Sequence, residues 1–120
     1  MKREIKFKAK QLNSGKWFEG DLVHLGNRVC IGGDHIKDGI TDVDPSTVCQ
    51  FTGLKDCKGK EIWEGDIVER EIYDLFKGSA KVKAVIEYMD GAFVAITDGI
   101  PYSLYFKYIT VIGNKFDKEK

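Results

Sequence analysis

The chain is poor in histidine and proline, with two of each among 120 residues. Imidazole is the side chain that ordinarily changes charge near neutral pH. Only His24 and His35 can therefore act as near-neutral bases, and each reads as a surface or strand residue. Cysteine is also sparse. Cys30, Cys49 and Cys57 are odd in number and lack CxxC spacing, which argues against a disulfide framework. They form no paired knuckle, so a zinc site from Cys30, His35, Cys49 and Cys57 is disfavoured. The expectation is free thiols behaving as small apolar residues in a reducing cytoplasm. Charge of one sign is not in surplus: 19 basic residues face 19 acidic ones. That balance gives no global pull toward nucleic acid or an anionic membrane. No apolar run approaches the ~18 residues of a membrane span. The opening MKREIKFKAK alternates charged and apolar residues and lacks the apolar core of a signal peptide. Neither a Gly-x-Ser-x-Gly nucleophile motif nor a Walker loop is present. No cofactor and no membrane partner are expected.

What is present is alternation. With 42% apolar and 32% charged residues, the composition is globular. A chain of this length can bury roughly two-thirds of its unfolded surface and needs no staple to fold. In Glu4–Lys10, apolar Ile5, Phe7 and Ala9 alternate with charges, predicting a strand with one buried face. Asn13-Ser14-Gly15 supplies a turn before Lys16-Trp17-Phe18. Leu22–Leu25 and Arg28–Ile31 read as strands around Gly26-Asn27. Residues 32–44 are polar and glycine-rich, predicting a loop that Pro45 ends. Extended chain resumes over Thr47–Glu69, with a polar turn at Lys55–Lys60. Lys81–Tyr88 alternates again, placing Val82, Ala84, Ile86 and Tyr88 on one face. Asp90-Gly91 suits a two-residue hairpin turn into Ala92–Thr97. Ile109–Ile112 is a last strand. Arg70–Lys77 is ambiguous: Ile72, Leu75 and Phe76 have helical spacing, so this stretch is a helical turn or a long hairpin tip.

Residues 9–23 echo residues 54–68 at an offset of 45: Lys10 matches Lys55, Phe18 faces Trp63, and Glu19-Gly20-Asp21 matches Glu64-Gly65-Asp66. In both copies Gly can redirect the chain and Asp can bond local N–H groups, so each Gly-Asp predicts a corner opening a strand.

The second copy lies in VCQFTGLKDCKGKEIWEGDIV, residues 48–68. Its Thr52-Gly53-Leu54, Lys55-Asp56, Gly59-Lys60 and Ile62-Trp63-Glu64-Gly65-Asp66-Ile67-Val68 resemble the signature of the YopX family, found largely in phages and prophages. Asp44–Val48, Val111-Ile112-Gly113-Asn114, Lys6–Lys10 and Trp17–Gly20 resemble it too. The resemblance implies an all-β fold made of short antiparallel strands. It implies a C-terminal half, residues 47–120, similar to an SH3-like barrel or roll, with residues 1–46 a β-hairpin region packed on it. It further implies self-association, a cytoplasmic site in the host bacterial cell, and no assigned activity. The motif residues Thr52, Gly53, Leu54, Gly59, Trp63, Glu64, Gly65, Asp66 and Gly113 are expected to shape turns and strands rather than catalyse.

Three functional expectations compete. The first is a non-enzymatic phage accessory protein that binds, as a homo-oligomer or with a host or phage protein. Aromatics Tyr73, Phe76, Tyr102, Tyr105, Phe106 and Tyr108 crowd the second half and suit an interface. The second is a nucleic-acid-binding β module: Lys6, Lys8 and Lys10 line one strand face, near Lys2 and Arg3, with Trp17 or Phe18 able to stack bases. The bland alternative is an edge strand whose lysines block pairing. The third is a hydrolase using Glu19 with Asp21 and Glu64 with Asp66, against which stands turn chemistry.

Overall fold

The computed structural model describes residues 4–74, 76, 78–103 and 109–117. Among them the regular structure is all β apart from two short 3-10 turns, Lys37–Gly39 and Pro45–Thr47. The strands in chain order are β1 (Phe7–Lys10), β2 (Trp17–Leu25), β3 (Arg28–Gly32), β4 (Ile40–Asp42), β5 (Cys49–Lys55), β6 (Glu61–Trp63), β7 (Asp66–Asp74), β8 (Gly78–Met89), β9 (Ala92–Thr97), β10 (Ile100–Ser103) and β11 (Ile109–Asn114). No helix among the described residues is long and apolar enough to cross a membrane. The chain divides into two compact units, residues 1–51 and 52–120, and β5 runs from one into the other.

In the first unit the antiparallel order is β4-β3-β2-β1-β5. The alternation read in the sequence sorts its faces. Phe7 and Ala9 point inward, and Ala9 joins Ile31, Ile36 and Val43 in a buried cluster lined by Phe18, Leu22, Val29 and Val48. Burial of each large aliphatic here contributes about 1.5–3 kcal/mol. The lysines of β1 take the opposite face. β1 pairs with β2 on one side and β5 on the other, so it is an interior strand. The edge-strand explanation for its lysines is therefore overturned. The expected loop over residues 32–44 also contains structure: the turn Lys37–Gly39 feeds β4, which pairs with β3 from Gly32↔Ile40 to Cys30↔Asp42. Too few apolar residues in that stretch gave any periodic signal.

In the second unit five strands run antiparallel in the order β10-β9-β8-β7-β11, and the second half of β5 lies beside β6. Ile62, Val68, Ala84, Ile86, Ala95, Ile109 and Val111 form its core, with Leu54 and Phe93 packed against them. Register explains the set: Val111 lies opposite Val68, Val68 opposite Ala84, and Ile86 opposite Ala95. Asp90 and Gly91 both have positive φ, 52° and 87°, and close the β8–β9 hairpin as the Asp-Gly pair predicts. Asp98-Gly99, at 51° and 78°, makes a second such turn that sequence inspection passed over. The described strands leave β10 and β11 as two ends, so the sheet is open rather than closed into a barrel.

The ambiguous stretch resolves as a hairpin. β7 and β8 pair from Ile67↔Val85 out to Asp74↔Gly78, so residues 71–74 are extended and not helical. Phe76 at the tip is exposed. Leu75 and Lys77 fall outside the described residues, as do Lys2, Arg3, Tyr105, Phe106 and Tyr108.

Candidate functional site

The two motif aspartates of the second unit are buried and engaged with backbone. Asp56 Oδ1 accepts from the N–H groups of Lys58 and Lys60 at 2.9 Å each, and its Oδ2 accepts from Val111 N–H at 2.9 Å. Burial alone would raise the Asp56 pKa. The N–H groups of Val111, Lys60 and Lys58, with the nearby Lys60 charge, outweigh that and hold it below the ordinary carboxylate value. Asp66 Oδ2 accepts from Trp63 N–H at 2.8 Å, closing the Glu64-Gly65 corner, and its Oδ1 accepts from the Asn114 side-chain amide at 3.0 Å. Gly65 has φ 87°, which side-chain-bearing residues rarely adopt, as the predicted corner requires.

The remaining signature residues also have local structural roles. Thr52 Oγ1 donates to Ile62 O at 2.7 Å and accepts from Leu54 N–H at 3.1 Å. Gly53 lies within β5 with φ 87°, and Leu54 packs on the core. Gly59, with φ 85°, donates to Asp56 O across the polar turn. Trp63 is buried beside the Glu64 corner. Gly113 follows a bulge in β11, where Ile112 is the extra residue between Val111↔Val68 and Gly113↔Ile67. Asn114 was visible in the sequence as part of a motif, but its bond to a residue 48 positions away was not.

The first copy of the echo behaves differently. Glu19-Gly20-Asp21 lies inside β2 rather than at a corner. Gly20 pairs with Phe7, and a Cβ there would run into the Gly32 carbonyl oxygen, so close approach rather than a turn demands glycine. Glu19 and Asp21 are exposed. Among the described residues no three His, Cys, Asp or Glu side chains come together in a way that could hold a metal ion.

The structure places Lys6, Lys8, Lys10 and Trp17 on one face of the first unit. Lys8 and Lys10 Nζ lie 4.7 and 5.4 Å from the Trp17 ring centroid, and Lys6 Nζ lies 4.8 Å from that of Phe51. Lys6 also approaches Glu4 and Glu19 at 3.8 and 3.9 Å. The lysine stems thus cover aromatic surface, and Trp17 already carries two cations over its ring.

Cys30 and Cys49 are buried and Cys57 is exposed, all as free thiols. Cys30 Sγ donates to Asp42 Oδ1 at 3.2 Å, and Arg28 Nε donates to the same oxygen at 2.9 Å. Burial, followed by that carboxylate, pushes the Cys30 thiol up. The hydrogen bond from Arg28, with that from Cys30, holds Asp42 below its ordinary value. Cys49 Sγ donates to Thr47 O at 3.3 Å. His35 Nε2 sits 2.6 Å from Glu19 O, and His24 is exposed on β2. A polar cleft of about 210 Å³ opens on the first unit, lined by Gln11, Leu12, Asn13, Arg28, Ile40, Thr41 and Asp42. Gln11 Nε2 donates to Thr41 Oγ1 at 2.7 Å within it.

No curated protein matches the chain. The family described as YopX protein does match, from residue 6 to residue 119, nearly the whole sequence. The chain therefore belongs to the YopX family.

Proposed function

We propose that this protein acts by binding, as a homo-oligomeric accessory protein of a phage or prophage working in the host cytoplasm, without catalytic chemistry of its own. The observation that carries this is the engagement of the motif aspartates. Asp56 and Asp66, the buried acids of the signature, accept bonds from backbone and amide N–H groups. A general acid or base needs to reach its substrate's proton. The signature thus serves architecture, and surface is left to do the work. Exposed apolar side chains in the second unit support a subunit contact: Phe76, Tyr88, Met89, Ile100, Tyr102 and Ile112. Tyr88 packs edge-on to Phe93 at 5.1 Å, a rigid aromatic pair of the kind that anchors interfaces.

Light scattering coupled to gel filtration, from low micromolar to near-millimolar concentration, tests the oligomer. A mass above that of one chain is the expected result, and a strict monomer throughout removes the subunit contact.

The convergence of three lysines and Trp17 on one face favours a second reading, a nucleic-acid-binding module. Its test is binding to single- and double-stranded DNA at low salt, with Lys8→Glu and Lys10→Glu beside it. Unmeasurable binding, or binding that ignores both charge reversals, ends that reading.

A further inference from the structure

We propose that Arg70 forms an oxyanion-binding site in the second unit, taking a carboxylate or phosphate group. Arg70 alternates with Val68 along β7, so it faces the same side as the core. Its neighbours in register are Ile109 on β11 and Val82 on β8. Its guanidinium carbon lies 4.1 Å from the ring centroid of Tyr102 on β10, within cation–π range.

Two facts set this arginine apart. Its Nε is buried and has no hydrogen-bond partner among the described residues. A buried donor left unmet is costly, and native structures rarely retain one without a reason. Second, Arg70 makes no ion pair among the described residues. The adjacent Glu69 and Glu71 belong to the other face, opposite Lys83 and Lys81, and Lys81 Nζ is 3.9 Å from Glu69. The charges on that face compensate one another, and the cation on the core side does not share in this.

A planar guanidinium presents parallel donors that match two oxygens of a carboxylate or phosphate. An anion in that fork satisfies the orphaned N–H and neutralises the charge together. The contact with Tyr102 already restricts the side chain, so less freedom is lost on binding. Arg70 is half-buried rather than enclosed, so an anion can reach the guanidinium beside the Tyr102 ring. The site lies outside the motif residues and shares only Tyr102 with the proposed subunit contact.

The direct test is nuclear magnetic resonance of the arginine Nε–Hε groups in the full chain, titrated with inorganic phosphate and separately with acetate at constant ionic strength. Arg3, Arg28 and Arg70 are the arginines of the chain. Arg28 Nε, already held by Asp42, serves as the internal reference. The expected result is a saturable shift at Arg70 in at least one titration, well above any change at Arg28. The anion that saturates first identifies the preferred oxyanion. Shifts that stay linear in both titrations, or that match those of Arg28, overturn the site. Arg70→Lys keeps the charge and removes the fork, and its affinity for the same anion should fall by tenfold or more with the melting temperature little changed. Undiminished binding by that variant also overturns the site.

Discussion

Replacing Asp56 with asparagine is the sharpest perturbation of this architecture. The substitution preserves shape and removes charge. The amide can still offer one oxygen to the N–H groups of Lys58 and Lys60, but its NH2 then faces the N–H of Val111. The two turn donors can find water. The Val111 N–H cannot, because Val111 is only 9% exposed within the core strand β11. Loss of one charge-assisted bond to a buried donor costs about 2–3 kcal/mol. For a unit of this size that is a melting-temperature drop on the order of 10 °C. The sign of the pH dependence follows from the depressed pKa of Asp56 in the folded state. A lowered folded pKa gives stability that is complete above the unfolded value, near 4, and fades as pH falls through the folded one. The gap between wild type and Asp56→Asn should therefore be full at neutral pH and shrink in acid. Thermal unfolding followed by circular dichroism at several pH values measures both effects. A variant within about 0.5 kcal/mol of wild type at neutral pH, or a gap that does not change with pH, refutes the assignment of Asp56 as the clamp on β11.

Gly65→Ala should destabilise by about 1–2 kcal/mol, because φ 87° at the corner is strained for any residue with a Cβ; an unchanged urea midpoint counts against it. Gly20→Ala should also destabilise, since its Cβ would run into the backbone carbonyl oxygen of Gly32; an unchanged urea midpoint would contradict the packing of β2 on β3. In native protein a thiol reagent should label Cys57 quickly and leave Cys30 and Cys49 until unfolding; fast labelling of more than one thiol by mass spectrometry would place a buried cysteine at the surface.

Much of the fold was legible because strand faces and turns are local. Ala84 and Ile86 could be assigned to one face from alternation, and the structure buries both, with Ile86 opposite Ala95 across the Asp90-Gly91 hairpin. The β7–β8 hairpin was ambiguous because residues 70–77 satisfy two periods at once. Pairing such as Ile72↔Ala80 decides between them, and pairing is not a property of either segment alone. The echo misled for the same reason. Glu19-Gly20-Asp21 and Glu64-Gly65-Asp66 read alike, yet one is mid-strand and the other a corner. The first glycine answers to a carbonyl on β3, and the second to the backbone angle the corner requires.

Function was less legible because the relevant contacts are long-range. The lysines of β1 were visible as a stripe, but the placement of Lys8 and Lys10 over Trp17 depends on the pairing of β1 with β2. Asp66 and Asn114 each look like an ordinary turn former in sequence. Only their meeting shows that the Glu-Gly-Asp signature joins the β6–β7 corner to the end of β11. A carboxylate held by donors from two separate segments keeps those segments in register. The same long-range pairing brings Arg70 to Tyr102, a juxtaposition that carries no motif at all. In this fold the motif residues Asp56 and Asp66 tie turns and strand ends together, whereas Arg70 meets Tyr102 through strand pairing alone.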